Sequence, residues 1–213
     1  MVIAIFDLCD TLYAENTTVG FLRFAAQQEP AIAQALKRWL DNPLFFLIGA
    51  VAQRLGRDLA RERLVASLKG LPRDRIEQLA SGYAETLADR RSNPSVLQRL
   101  EEHRGRGDRV AIVSSSLAPV VEAIAGRLGV EGRGSTLGFT AAEQCTGRIT
   151  DDLTGAKPRI AAQLRASGER MIVYSDNRTD EALLRSADEG FVILPAAGKE
   201  SRWAGDDVSY IQL

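Results

Sequence analysis

The sequence predicts an α/β fold: a doubly wound parallel sheet that is interrupted, directly after its first strand, by an all-helical insertion. Two observations support this prediction. In the second half of the chain, short β-branched strands alternate with helical patterns of about 10–15 residues, which is typical of βαβ units. Between residues 16 and 93, in contrast, apolar residues recur every three or four positions and no clear strand is found.

The first strand, Val2–Phe6, is a short and continuous apolar run, which is typical of a strand buried on both faces of a sheet. The insertion after it contains segments with helical spacing, separated by prolines and glycines where helices should begin or end. One apolar segment, 43–52, is shorter than the ~20 residues of a membrane span and is interpreted as a buried helix. We therefore expect a core domain of residues 1–14 and 94–213 and a helical cap domain of residues 15–93.

After the insertion, helices and strands are predicted in alternation up to the end of the core. A turn-rich segment, residues 130–154, interrupts this alternation and is expected to hold one or two short strands. The predicted helices are PSVLQRLEEHRGRGD, APVVEAIAGRLG, KPRIAAQLRASG and TDEALLRSADEG, and the predicted strands are RVAIVSSS, RMIVYSDN and FVIL.

The composition is that of an ordinary soluble globular protein, with 45% apolar and 26% charged residues among 213. A net charge of -1 gives no reason to expect nucleic acid or an anionic membrane as a partner. The two cysteines, Cys9 and Cys145, are too few for a disulfide framework, so we expect reduced thiols and a cytoplasmic location. Cys145 is interpreted as a small buried residue, and His103 as a residue of the last turn of a helix.

Polar side chains follow three of the predicted strands at the point where each strand ends. Ligands of open parallel sheets bind beyond these carboxyl ends, so the side chains should share one site. Clustered carboxylates need a cation such as Mg²⁺, which takes phosphate oxygens as further ligands, and a carboxylate beside a phosphorus atom can attack it. Hydroxyl groups and a lysine can hold the phosphoryl oxygens. The residues are Asp7, Cys9, Asp10 and Thr11, then Ser114, Ser115 and Ser116, then Ser175, Asp176, Asn177 and Asp180, with Lys157 at a helix start.

The order and spacing of these residues resemble the four motifs of the haloacid dehalogenase (HAD) superfamily, nearest to its phosphoserine-phosphatase-like branch. The first motif, an apolar strand followed by D-x-D-x-T, is similar to FDLCDTL, in which Thr11 and Leu12 set the register. Asp7 then corresponds to the nucleophile and Cys9 to the second acid. The later motifs are matched by Ser114 in IVSSS, Lys157 in GAKPR, and Asp176 with Asp180 in VYSDNRTD.

The resemblance implies a Rossmann-like HAD core with a helical cap and a Mg²⁺-dependent phosphatase or phosphotransferase. The partner it implies is a small phosphorylated metabolite, which is attacked to form an aspartyl-phosphate, and we expect a monomer or a homodimer. Asp180 is equally suited to the first turn of the helix after it, and Ser115 and Ser116 to a helix N-cap. The implied roles are metal binding for Asp7, the Cys9 carbonyl and Asp176 with support from Asp180, phosphoryl binding for Ser114, Ser115 and Lys157, and loop orientation for Thr11.

Cys9 departs from the motif, because the family's phosphatases use an acid there to protonate the leaving alcohol and then to activate water. A thiol with an ordinary pKa near ~8.5 performs this work poorly. Asp10 is the next candidate for the role, although its side chain can instead hydrogen-bond the loop backbone. The alternative function is therefore a catalytically weakened phosphate- and Mg²⁺-binding protein. Because Asn16 stands where phosphoserine phosphatases carry a glutamate, phosphoserine itself is not predicted as the substrate.

Overall fold

The structure, a computed structural model, describes residues 1–40, 59–88, 92–194 and 209–212. Its strands are β1 (Val2–Phe6), β2 (Arg109–Leu117), β3 (Glu131–Phe139), β4 (Cys145–Asp151), β5 (Arg170–Ser175), β6 (Glu189–Leu194) and β7 (Ser209–Gln212). Its α-helices are α1 (Thr17–Gln28), α2 (Pro30–Leu40), α3 (Leu59–Val65), α4 (Arg73–Ala88), α5 (Pro94–Gly105), α6 (Ala118–Leu128), α7 (Lys157–Leu164) and α8 (Glu181–Ser186). Two 3₁₀ turns cover Ala66–Leu68 and Arg178–Asp180.

The strands form one seven-stranded sheet in the order β4-β3-β2-β1-β5-β6-β7. Every neighbouring pair is parallel except β3 and β4, which are antiparallel. The predicted doubly wound parallel sheet is therefore confirmed. Because β2 and β5 flank β1 and the chain turns in opposite directions on either side of it, the crevice beyond the carboxyl end of β1 is the expected ligand position.

Two features of the sheet go beyond the prediction. The turn-rich segment holds two strands, β3 and β4, which are longer than predicted and form a hairpin, and β7 adds an edge strand that the sequence pattern did not indicate. Strand β1 is central, and its side chains alternate between two hydrophobic clusters: Ala4 and Phe6 belong to one, Ile3 and Ile5 to the other. A strand buried on both faces requires apolar residues at every position, which is what its sequence shows.

The described residues between β1 and α5 form helices α1 to α4 and contain no strand, as the periodicity predicts. Asn16 caps α1, because its side chain accepts a hydrogen bond from the Val19 N–H at 3.1 Å. The apolar segment 43–52, predicted as a buried helix, lies outside the described residues. No helix in the described ranges is long and apolar enough to cross a membrane.

The helical segment is joined to the core over a wide surface. A single hydrophobic cluster contains Phe21 and Leu79 of the helical segment together with Ile112, Val121 and Leu137 of the core. Backbone hydrogen bonds also link the turn before α4 to the hairpin: the Gly70 N–H donates to the Cys145 carbonyl and the Cys145 N–H to the Leu71 carbonyl, each at 2.8 Å. Cys145 is buried there, as predicted. The division into residues 15–93 and the remainder stays a prediction.

Candidate active site

The loop after β1 brings Asp7 into the crevice. The Asp7 N–H donates to the Tyr174 carbonyl at 2.9 Å, which continues the pairing of β1 with β5 and fixes the direction of the side chain. Asp7 is buried, and its Oδ1 accepts a hydrogen bond from the Leu8 N–H at 2.7 Å. Asp10 turns the chain back with a φ of 54°, a left-handed conformation that aspartate tolerates better than most residues. The Asp10 side chain is exposed.

A buried lysine connects two carboxylates at the centre of the crevice. Lys157 Nζ lies 2.9 Å from Asp7 Oδ1 and donates to Asp180 Oδ2 at 2.6 Å, and all three side chains are buried. Ser175 also donates to Asp180 Oδ2, at 2.7 Å. Burial by itself lowers the pKa of Lys157, but the negative charges of Asp7 and Asp180 outweigh burial and raise that pKa, so the lysine stays protonated.

Thr11 connects the first loop to the loop after β5. Its buried hydroxyl donates to Asp176 Oδ1 at 2.9 Å and accepts the Asp176 backbone N–H at 3.0 Å. Burial, followed by the negative charge of Asp7, raises the pKa of Asp176 to about 7, although the Thr11 hydrogen bond opposes the shift. The carboxylates of Asp7 and Asp176 are thus close enough to repel each other, and a cation between them would relieve that repulsion.

The three serines after β2 lie in an irregular part of the strand. Val113 pairs with Arg133 of β3, and Leu117 pairs with Ser135. Three residues of β2 thus lie opposite a single residue of β3, so residues 114–116 form a bulge. Bulges redirect side chains at the ends of strands. Ser114 is buried, and its Oγ accepts the Ser116 N–H at 3.3 Å. Ser115 contacts its surroundings through its carbonyl, which accepts from Ser135 Oγ at 2.8 Å.

Cys9 occupies a pocket lined by hydroxyl groups. Its Sγ lies 3.2 Å from Ser116 Oγ and 3.3 Å from Thr17 Oγ1, and it accepts the Thr17 N–H at 3.4 Å. The two hydroxyl oxygens of Thr17 and Ser116 are themselves only 2.6 Å apart. Burial, followed by the charge of Asp7, raises the pKa of the Cys9 thiol. The thiol is therefore a weaker acid here than in water.

The donor set of the crevice fits a hard cation. Among the described residues, no group of three or more His, Cys, Asp or Glu side chains is arranged to hold a metal ion. Mg²⁺, however, is usually held by one or two carboxylates together with substrate and water oxygens. Asp7 and Asp176 supply two carboxylates, and burial together with the negative charge of Asp7 raises the pKa of Asp176. The residues present therefore fit Mg²⁺.

The structure brings most of the predicted residues to the same crevice. Asp7, Lys157 and Asp180 form one bonded group and Thr11 with Asp176 a second, and the charge of Asp7 acts on Asp176 of the second group. The interpretation of Ser115 and Ser116 as helix caps is wrong, because the N-cap of α6 is Leu117 and no side chain caps it. Asp180 does precede α8, but its carboxylate contacts Lys157 and Ser175 and does not cap that helix.

Two polar residues near the crevice, Thr17 and Arg61, were not predicted as site residues, and Ser116 was expected at the same edge of the sheet but was given no role there. Thr17 and Ser116 meet Cys9 across 8 and 107 residues of chain, and Arg61 reaches the Ser115 carbonyl across 54. The contacts across 54 and 107 residues leave no local pattern in a single sequence. Only the proximity of Ser116 to the motif serine was available as a signal.

This set of residues lies at the switch point of a doubly wound sheet, where the sequence motifs predict a site of the HAD type. The sequence profile of the haloacid dehalogenase-like hydrolases matches residues 4–185, and the chain belongs to this family. An inhibition of morphological differentiation protein from Streptomyces azureus is 30% identical over 204 residues, which cover 90% of this chain and 71% of that protein.

Similar solved structures share the fold over nearly the whole chain. A protein of unknown function from Bordetella pertussis Tohama I superimposes with a TM-score of 0.78 at 20% identity, covering 98% of this chain and 97% of that one. A probable phosphoserine phosphatase from Vibrio cholerae gives a TM-score of 0.65 at 16% identity, covering 94% of this chain and 58% of that one. The predicted HAD resemblance is therefore confirmed at the level of family and fold.

Proposed function

We propose that this protein is a Mg²⁺-dependent phosphatase or phosphotransferase that acts on a small phosphomonoester through an aspartyl-phosphate. The observation that carries the proposal is the buried lysine between Asp7 and Asp180, beside the Asp7–Asp176 pair. The buried lysine balances the charge of the nucleophilic carboxylate, and the Asp7–Asp176 pair requires a metal ion to offset its charge. Both features suit the transfer of a dianionic group. The Vibrio cholerae neighbour, named as a probable phosphoserine phosphatase, agrees with this reaction class.

In the proposed reaction, a carboxylate oxygen of Asp7 attacks the phosphorus atom and the bond to the leaving oxygen breaks. The leaving alkoxide takes up a proton, and water then attacks the aspartyl-phosphate, which releases phosphate and restores the carboxylate. Ser114 and Lys157 hold the phosphoryl oxygens, and Asp180 orients Lys157 through their 2.6 Å hydrogen bond. Asp7, Asp176 and the Cys9 carbonyl would hold Mg²⁺, which would neutralise charge on the transferred group.

The proton steps are where this chain departs from an efficient phosphatase. The Cys9 thiol has a raised pKa, and its Sγ is already bonded to Thr17 and Ser116, so it neither donates nor accepts the transferred proton readily. Asp10 is exposed beside the crevice and is the remaining candidate for this role. General acid–base assistance is typically worth ~10²–10⁴-fold, so its weakening slows turnover by a factor in that range.

Hydrolysis of p-nitrophenyl phosphate, with and without Mg²⁺, tests the proposal. We expect turnover that requires Mg²⁺ and is abolished in Asp7→Asn. Loss of turnover in Asp10→Asn would assign the proton transfer to Asp10. Full activity in Asp7→Asn would show that the assignment of the nucleophile is wrong.

A second candidate function is a phosphate- and Mg²⁺-binding protein with little turnover, and the environment of Cys9 favours it. The Streptomyces azureus relative is named for inhibition of morphological differentiation, which is an effect and not a reaction. The Thr17 and Ser116 hydroxyls that surround Cys9 Sγ could equally donate to a carboxylate at that position. If the wild type is inactive and Cys9→Asp hydrolyses the aryl phosphate, this second function is favoured over the first.

A further inference from the structure

Arg61 reaches from helix α3 of the helical segment onto the core. Its Nη1 lies 2.8 Å and 2.9 Å from the two carboxylate oxygens of Asp152 and 3.0 Å from Thr154 Oγ1. Its Nη2 donates to the Ser115 carbonyl and lies 2.9 Å from Ser135 Oγ. Only 14% of the side chain is exposed, so the guanidinium is largely enclosed by these acceptors.

The acceptors belong to two segments that carry residues of the proposed phosphoryl site. Ser115 directly follows Ser114 in the bulge at the end of β2. Asp152 and Thr154 lie in the connection between β4 and α7, and Lys157 is the first residue of α7. Arg61 therefore contacts Ser115, the neighbour of Ser114, and the loop that leads to Lys157.

The two segments are also joined to each other through Ser135. Ser135 is buried, its Oγ donates to the Ser115 carbonyl at 2.8 Å, and it accepts the Leu153 N–H at 3.1 Å. The Thr154 N–H donates to Asp152 Oδ1 at 2.9 Å, which fixes the turn in which the carboxylate sits. The guanidinium therefore completes a network that already connects the bulge to the β4–α7 loop.

A guanidinium suits this position in a way that an ammonium group does not. Its planar fork directs N–H groups to acceptors on two sides at once, whereas lysine presents a single point charge. Burial alone would raise the pKa of Asp152, but hydrogen bonds from Arg61 and Thr154 and the charge of Arg61 keep that pKa below its usual value, so the carboxylate stays ionised. The bond to the Ser115 carbonyl adds a geometric constraint that a surface ion pair lacks.

We propose that Arg61 is a positioning residue for phosphoryl binding: when α3 is docked on the core, the guanidinium fixes the Ser115 carbonyl and the β4–α7 loop, and with them Ser114 and Lys157. The phosphoryl site is then complete only while the helical segment is docked. This inference rests on the proposed function, because that function assigns Ser114 and Lys157 to the phosphoryl group.

The kinetic test compares Arg61→Lys and Asp152→Asn with Arg63→Lys, a matched control at an exposed position of the same helix. Small misplacements in an active site cost up to about 10²-fold, so we expect kcat/KM for p-nitrophenyl phosphate to fall about 10–100-fold in the first two variants. We expect the inhibition constant of inorganic phosphate to rise by about 10-fold in both, because the same groups hold the product. The Arg63→Lys control should stay within about 2-fold of the wild type. Because Arg61 and Asp152 act through one another, the double variant should be little worse than either single one.

Backbone hydrogen exchange supplies a readout that does not depend on turnover. Arg61→Lys should accelerate exchange in residues 114–117 and 153–157, and Arg63→Lys should not. If Arg61→Lys lowers the melting temperature while kcat/KM and phosphate inhibition stay within 2-fold of the wild type, Arg61 is merely structural and the proposal is overturned. Unchanged exchange in both segments overturns it as well.

The proposed function can fail separately from this inference. If the wild type shows no turnover with Mg²⁺, the proposed reaction is wrong, and direct binding of inorganic phosphate replaces the kinetic readout. Weaker phosphate binding and faster exchange in Arg61→Lys would then support the positioning role. Phosphate binding equal to that of the wild type would overturn it.

Discussion

At the scale of single residues, Thr11 shows how one hydroxyl group ties two loops of the site together. Its Oγ1 donates to the Asp176 carboxylate and accepts the Asp176 N–H, and the side chain is fully buried. Valine has the same shape as threonine but no hydroxyl. In Thr11→Val the Asp176 N–H would therefore lose its acceptor in a partly buried place.

We expect Thr11→Val to lower the free energy of unfolding by about 1–3 kcal/mol, the usual cost of an unsatisfied buried polar group. The pKa of Asp176, already raised to about 7, should rise further, because the Thr11 hydrogen bond opposes that shift. Urea unfolding measures the first effect. The control is Thr11→Ser, which keeps the hydroxyl and removes only a methyl group. Equal stability of the serine and valine variants would show that the hydroxyl contributes nothing.

The same residues show what one sequence can and cannot predict about a site. Asp7 and Asp176 directly follow strands, Lys157 begins a helix, and Thr11 and Ser114 lie within a few residues of strand ends, and the topology of a parallel sheet brings such positions together. Spacing along the chain therefore predicted them. The cluster of Cys9, Thr17 and Ser116 depends on how α1 packs against β2, which the apolar pattern of α1 does not specify.

At the scale of elements, the turn from α5 into β2 depends on the only histidine of the chain. His103 lies in the last turn of α5, as predicted, but it is also buried: Nδ1 is 2.8 Å from Asp108 Oδ2 and Nε2 is 3.0 Å from the Tyr174 hydroxyl. Tyr174 in turn stacks between Phe6 and Phe191. The cluster thus connects the turn to strands β1, β5 and β6.

This turn gives the chain a predictable dependence of stability on pH. Burial by itself raises the pKa of Asp108, but hydrogen bonds from His103 and Arg106 outweigh burial and leave the pKa below its usual value. A depressed pKa in the folded state means that the stabilisation is complete above the unfolded value of about 3.9 and is lost as the pH falls through the folded pKa.

We therefore expect the free energy of unfolding of the wild type to fall below about pH 4 more steeply than that of Asp108→Asn. Urea unfolding over a series of acidic pH values measures both curves. Glu101→Gln, at an exposed position of the same helix, is the matched control and should follow the wild type. If the Asp108→Asn curve runs parallel to the wild-type curve at acidic pH, the bonds of Asp108 to His103 and Arg106 do not contribute to acid stability.

Elements were predicted best where burial imposes a simple pattern. Strand β1 is buried on both faces and reads as an unbroken apolar run, and α1 to α4 show the helical spacing of one apolar face. The hairpin of β3 and β4 was only partly predicted, because glycine and polar residues alternate in it and one strand lies at the sheet edge. Strand β7, of four residues at the opposite edge, is too short to give a pattern.

At the scale of the whole molecule, the helical segment and the core share one hydrophobic cluster. Leu79 of α4 and Leu137 of β3 both belong to it, and both are almost fully buried. The backbone bonds of Gly70 and Leu71 to Cys145 extend the connection to the hairpin. Composition and periodicity predicted where the helices begin, but the extent of their contact with the core depends on side chains that meet across the fold.

A shared core of this kind predicts that the described parts of the chain unfold together, in one cooperative transition. Truncating either leucine to alanine should lower the free energy of unfolding by about 2–5 kcal/mol. The denaturant midpoint should shift in both variants while the slope with denaturant stays unchanged, because the same surface is exposed. Calorimetry should give equal calorimetric and van't Hoff enthalpies for the wild type.

Two separable transitions, of which Leu79→Ala moves one and Leu137→Ala the other, would instead mean that the helical segment folds as an independent domain. In that case the docking of α3, on which the contacts of Arg61 depend, would be a separate equilibrium with its own midpoint.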